Sequence, residues 1–141
     1  IFGKDFWGQG FSVVRNPFDR IVSEYNYQKN LFWPKIPSFD VWLEKVLQIA
    51  MDDPFYLDNH LRPQVSFVDN TVRIFKYESG LDNVILEIEK MMNIESDSKL
   101  PEKLKFENPT VSFSPKSIEL ITRFYRIDFE VFKYSTTPPS N

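Results

Sequence analysis

The run Phe11-Ser12-Val13-Val14-Arg15-Asn16-Pro17-Phe18-Asp19-Arg20-Ile21-Val22-Ser23-Glu24-Tyr25 carries a strand into a helix. Residues 11–14 are mostly apolar and rich in valine, the composition of a core strand. Asn16 offers a side-chain oxygen suited to an N-cap. Pro17 suits the first helical position, where its missing N–H costs nothing. Phe18, Ile21, Val22 and Tyr25 then recur at i, i+3, i+4 and i+7, which predicts a helix over 17–28 with one apolar face. A corner of this kind attracts anions, because unpaired N–H groups and the positive end of the helix dipole face it. Arg15 adds a planar fork of donors matched to phosphate. Ser23, six residues after Pro17, reaches the same anion only where that anion lies along the helix flank.

Outward from this corner, residues 1–10 hold Gly3, Gly8 and Gly10 and read as a connector. Trp33, Pro34 and Pro37 mark a loop. Ser38 is placed to cap a helix over 38–50, whose apolar face is Phe39, Trp42, Leu43, Val46 and Leu47. Asp52, Asp53 and Pro54 read as its termination in a solvated turn rather than as a metal site. Val65-Ser66-Phe67-Val68 and Val72-Arg73-Ile74-Phe75 read as two strands, with Asp69-Asn70 as the turn between them. A helix over 80–93 turns Leu81, Val84, Ile85, Ile88, Met91 and Met92 inward, the methionines as core filler. Residues 94–114, polar and holding Pro101 and Pro109, read as a long loop. Ser114-Pro115 opens a last helix over 115–125, and residues 135–141 read as a frayed tail. Strands interleaved with helices predict an α/β protein, a mostly parallel sheet flanked by helices, in a single domain over 1–141.

With 141 residues, the chain is long enough for one domain with a real core. A net charge of −3 argues against broad nucleic-acid binding, which needs an excess of Lys and Arg to replace counterions. Cysteine is absent, which excludes disulfides, thiolate catalysis and zinc–cysteine sites and points to a cytoplasmic protein. No apolar run approaches the roughly 18 residues of a membrane span, and no leader pattern is expected at the N-terminus. Phe residues number 14, and most should be core. Phe32, Trp33, Phe55 and Tyr56 fall in loops, where aromatic rings can stack on a sugar or an adenine.

Four segments in order resemble elements of the carbohydrate-type sulfotransferases, the branch that includes heparan and chondroitin sulfotransferases and their bacterial relatives. They are Arg15-Asn16-Pro17-x-x-Arg20-x-x-Ser23, His60-x-x-Pro63-Gln64, the strand-like Val72–Tyr77 ending in Glu78, and Tyr125-x-x-Asp128-Phe129-x-x-Phe132-x-Tyr134. The resemblance spans residues 11–134. It implies a fold like that of the P-loop nucleoside triphosphate hydrolases. It also implies 3′-phosphoadenosine 5′-phosphosulfate as donor, adenosine 3′,5′-bisphosphate as product, a glycan hydroxyl as acceptor, and no metal. Arg15 and Ser23 match the residues that hold the donor's 3′-phosphate. Arg20 either assists them or, the preferred reading, pairs with Glu24 at i+4 on the surface. His60, Arg62 and Gln64 are candidates to line the acceptor pocket, and Asn108 and Thr110 to close over the nucleotide. Glu78 buttresses the site or caps the helix beyond Gly80. A eukaryotic member of this family would be expected in the Golgi lumen.

One family element has no counterpart. The Lys-[Thr/Ser]-Gly-[Ser/Thr]-Thr loop that cradles the 5′-phosphosulfate is missing, and Gly8-Gln9-Gly10 lacks the lysine and the following helix. The chain is therefore expected to be the C-terminal two-thirds of such a domain, without its first strand, loop and helix and incomplete by itself for catalysis. The catalytic base is expected upstream of residue 1. His60, the one histidine, is the candidate base within the chain. Sulfuryl transfer is an in-line displacement in which the protein positions the partners, stabilises spread charge and removes the acceptor's proton. Two other readings stay open: a non-catalytic module that keeps only the 3′-phosphonucleotide pocket, and an unrelated α/β anion-binding protein such as a nucleotide kinase relative.

Overall fold

A computed structural model describes residues 10–32, 35–94 and 111–139. The chain divides into two compact units, Ile1–Arg15 with Val68–Glu107, and Asn16–Phe67 with Asn108–Asn141. The described elements run β1 (Phe11–Val14), α1 (Pro17–Phe32), α2 (Phe39–Asp52), β2 (Arg73–Lys76), α3 (Leu81–Met92), α4 (Pro115–Phe124) and α5 (Arg126–Phe132).

In the first unit β1 and β2 pair in parallel, Phe11 opposite Arg73 and Val14 opposite Lys76, so the α/β class and the parallel pairing follow the sequence reading. The Arg73 amide extends the ladder by donating to the Gly10 carbonyl at 2.9 Å. Val14 is buried, but Phe11 and Val13 are largely exposed, so β1 is not the core strand expected. The described sheet consists of these two strands. Beyond β2, Gly80 turns the chain into α3 with φ +86°, a conformation that a side chain would strain. Asn93 ends α3 in the left-handed region, and the Ile94 and Asn93 amides reach back to the Glu89 and Lys90 carbonyls. Val84 is the buried residue of α3, whereas Met92 is 56% exposed and does not fill a core as predicted.

The second unit is helical and holds the main core. Phe18, Ile21, Val22 and Tyr25 of α1 meet Phe39, Trp42, Leu43, Val46, Leu47 and Ala50 of α2, closed by Leu61, Ile121, Tyr125 and Phe129. The 3.6-residue apolar stripes foretold these faces. Edge-to-face ring pairs lock it, Phe18 on Phe113 at 5.2 Å and Tyr25 on Phe39 at 5.3 Å. Helix α1 runs four residues past the predicted end, to Phe32. Ser38 precedes α2 without a side-chain cap, whereas Ser114 caps α4 by accepting from the Ser117 amide. Asp40 of α2 accepts from Ser117 and Ser114, and Lys116 pairs with Glu44, tying α2 to α4. Asp53 ends α2 as expected, its carboxylate accepting from the Phe55 amide at 2.9 Å.

Residues 65–68 are not a strand. Gln64–Phe67 forms a 3₁₀ turn, because the buried Asp128 carboxylate accepts from the Gln64 and Val65 amides at 2.8 and 2.9 Å. Those N–H groups are then unavailable to a ladder. The Asp69-Asn70 turn survives, with Asp69 accepting from both the amide and the hydroxyl of Thr71. Those bonds hold the Asp69 carboxyl below its ordinary range, the hydroxyl contributing most.

Candidate functional site

Arg15 follows β1 directly, and its guanidinium lies over the Tyr77 ring at 4.6 Å. Asn16 caps α1 as the sequence predicts, its side-chain oxygen accepting from the Phe18 amide at 3.0 Å. Ser23 sits half-buried on α1. Asn26, one turn later on the same flank, is buried, and its Nδ2 finds no hydrogen-bond acceptor among the described residues. A buried orphan donor beside a hydroxyl is the chemistry an anion satisfies. Glu78 falls in the 3₁₀ turn Tyr77–Ser79, two residues before Gly80, the N-cap position of α3.

The His60 segment is built by backbone strain. Leu57, Asp58 and Asn59 take φ of 52°, 52° and 69°, three consecutive non-glycine residues in the left-handed region. Each such residue costs on the order of 1 kcal/mol, and the surroundings must enforce it. Arg20 supplies the enforcement: Nη2 donates to the His60 carbonyl at 2.6 Å and Nη1 to the Arg62 carbonyl at 2.8 Å. The expected surface pair with Glu24 is therefore not formed. Glu24 is buried at 8% exposure; Oε1 accepts from Gln28 Nε2 at 2.7 Å and Oε2 meets His60 Nδ1 at 2.9 Å. Tyr27 lies beside the imidazole, ring centres 5.9 Å apart.

Arg62 lies between two exposed rings, 5.6 Å from Phe55 and 5.4 Å from Phe67. Gln64 is buried, with its amide held by Asp128. Tyr56 packs partly against the core, while Phe55 stands 64% exposed. Asn108, Thr110 and Trp33 lie outside the described residues. Sequence reasoning missed Glu24 as His60's partner. The available signal was a carboxylate and an amide, Glu24 and Gln28, on the flank of the apolar face of α1. A cavity of about 500 Å³ lies in the second unit beside Glu44, Leu47, Met51, Pro63, Arg123 and Phe124, and none of the residues matched to the donor lines it. Among the described residues no cluster of three or more acidic or histidine side chains suits a metal ion.

A model described as Sulfotransferase family matches residues 9–135 of this chain. The match takes in every described element from β1 to α5. No curated protein and no solved structure matched. Among the described residues no helix is long and apolar enough to cross a membrane.

Proposed function

Since the chain belongs to the sulfotransferase family, we propose that it serves sulfuryl transfer from 3′-phosphoadenosine 5′-phosphosulfate to a hydroxyl of a carbohydrate acceptor. The proposal places it in the carbohydrate-type branch, with β1 and β2 as two strands of a P-loop-like sheet. The observation that carries the reading is the family match over the Arg15–Ser23 motif. Arg15 and Ser23 are assigned to the donor's 3′-phosphate, a guanidinium and a hydroxyl suited to phosphate oxygens. The orphan amide of Asn26 supports that assignment, since it offers a third donor one turn from Ser23. The acceptor oxygen attacks sulfur in line, the bond from sulfur to the 5′-phosphate oxygen breaks, and adenosine 3′,5′-bisphosphate leaves.

Calorimetric titration tests this reading with adenosine 3′,5′-bisphosphate against 5′-AMP at one ionic strength. The bisphosphate is expected to bind the tighter of the two. Arg15→Ala removes a charged phosphate contact and is expected to weaken the bisphosphate at least about 10-fold, and Ser23→Ala about 5-fold, with 5′-AMP unchanged in both. Equal affinity for the two nucleotides in the wild type overturns the donor assignment.

A further inference from the structure

Glu24 and His60 are joined in a way that a loop latch does not require. With the carboxylate ionised and the ring neutral, the 2.9 Å contact between Glu24 Oε2 and His60 Nδ1 calls for the tautomer with its proton on Nδ1 and its lone pair on Nε2. Gln28 holds the other carboxylate oxygen at 2.7 Å, which fixes Glu24 from behind. The His60 side chain is nevertheless 47% exposed, against 9% for that of Glu24, and Nε2 makes no hydrogen bond among the described residues. Three strained residues precede His60, and Arg20 clamps the carbonyls at 60 and 62. Backbone strain of this kind gathers where geometry serves chemistry. Ser23 and Tyr27 stand one turn apart on α1, so the residue assigned to the donor and the ring beside the imidazole share one helix flank.

We propose that His60 is the base that takes the proton from the acceptor hydroxyl, with Glu24 as its positioning residue; this rests on the sulfuryl-transfer reading above. The hydroxyl proton passes to Nε2 as the acceptor oxygen bonds to sulfur. The bond from sulfur to the 5′-phosphate oxygen breaks, and its electron pair stays on the departing bisphosphate. The imidazolium, facing Glu24, later gives its proton to solvent. The arrangement is the base–orienter pair of general-base catalysis. It places the base inside this chain, where the family resemblance had put it upstream.

The test uses the whole chain as wild type, His60→Asn and Glu24→Gln. Asparagine keeps a donor where Nδ1 stood, so the contact with Glu24 survives while the base is lost. Transfer of radiolabelled sulfuryl from the donor is measured to a desulfated chondroitin chain and to water, beside bisphosphate binding and thermal unfolding. His60→Asn is expected to lower transfer at least about 100-fold with unchanged bisphosphate affinity and melting. With a wild type that transfers sulfuryl, equal transfer in that variant overturns the proposal. Long-range nitrogen–proton NMR of the single imidazole reads the dyad whether or not turnover is seen. A proton on Nδ1 in the wild type that becomes shared between the two nitrogens in Glu24→Gln supports the positioning role, and a wild-type proton fixed on Nε2 overturns it. A wild type that does not bind the bisphosphate sinks the donor reading itself and this assignment with it.

Discussion

Arg20 shows how one side chain can replace a network. Its fork bridges the carbonyls of His60 and Arg62, forty residues away along the chain, and steadies the left-handed turn before them. Lysine carries the same charge, but a single ammonium cannot span two carbonyls with the same planar geometry. Arg20→Lys is expected to cost about 1–2 kcal/mol in urea unfolding. It is also expected to speed amide exchange at His60 and Arg62, whose N–H groups close onto Leu57 and Asn59 within the same turn. Unchanged exchange at those two amides would mean the turn holds itself. The sequence displayed Arg20 and Glu24 at i and i+4, the spacing of a surface pair. What it did not display was that the chain returns near residue 60 with two carbonyls placed to accept charge-assisted bonds from one guanidinium.

Among elements, those legible in the sequence are the ones whose signals are local. Helices α1, α2, α3 and α4 each announce themselves by a stripe of apolar residues, and α1 and α4 also by a cap at Asn16 or Ser114. The 3₁₀ turn Gln64–Phe67 is illegible locally, because Val-Ser-Phe-Val has strand composition and the deciding group is Asp128, sixty-four residues on. Helix α5 is missed for a related reason. The chain kinks at Tyr125, with φ −99° and ψ 22°, and the following seven residues form a helix too short for a stripe to show. Asp128, on α5, thus serves as an N-terminal cap for a turn in another part of the chain. Replacing it by asparagine keeps the volume but presents one amide N–H to another, leaving a buried donor unmet. Asp128→Asn is expected to destabilise by about 2–3 kcal/mol in chemical denaturation, while a loss below about 0.5 kcal/mol would show that the turn does not depend on its cap.

For the whole molecule, the candidate site divides by the same rule. A contiguous motif is what nominates Arg15 and Ser23 as candidates, whereas the Glu24–His60 contact joins residues thirty-six apart and has no spacing to betray it. Another such long-range contact contributes to the stability of the protein at high pH. Tyr125 is buried at 1% exposure, and its hydroxyl donates to the Leu61 carbonyl at 2.8 Å. Burial pushes its phenol far above the ordinary value, and the nearby Asp128 and Glu24 charges add to the rise while Arg20 opposes it. The unfolded chain releases this proton near pH 10, and the folded protein holds it, so the native state binds more protons above that pH. Stability must then fall as pH rises past about 10, by up to roughly 1.4 kcal/mol per pH unit from this one group. Below that pH the contribution is present in full. Tyr125→Phe removes the proton and the hydrogen bond together. It is expected to cost about 1 kcal/mol at neutral pH, where the Leu61 carbonyl loses its donor, and to flatten the alkaline decline. Urea midpoints of the two proteins, followed from pH 7 to about 11, should therefore converge above pH 10. Parallel curves would mean that the alkaline decline has another origin.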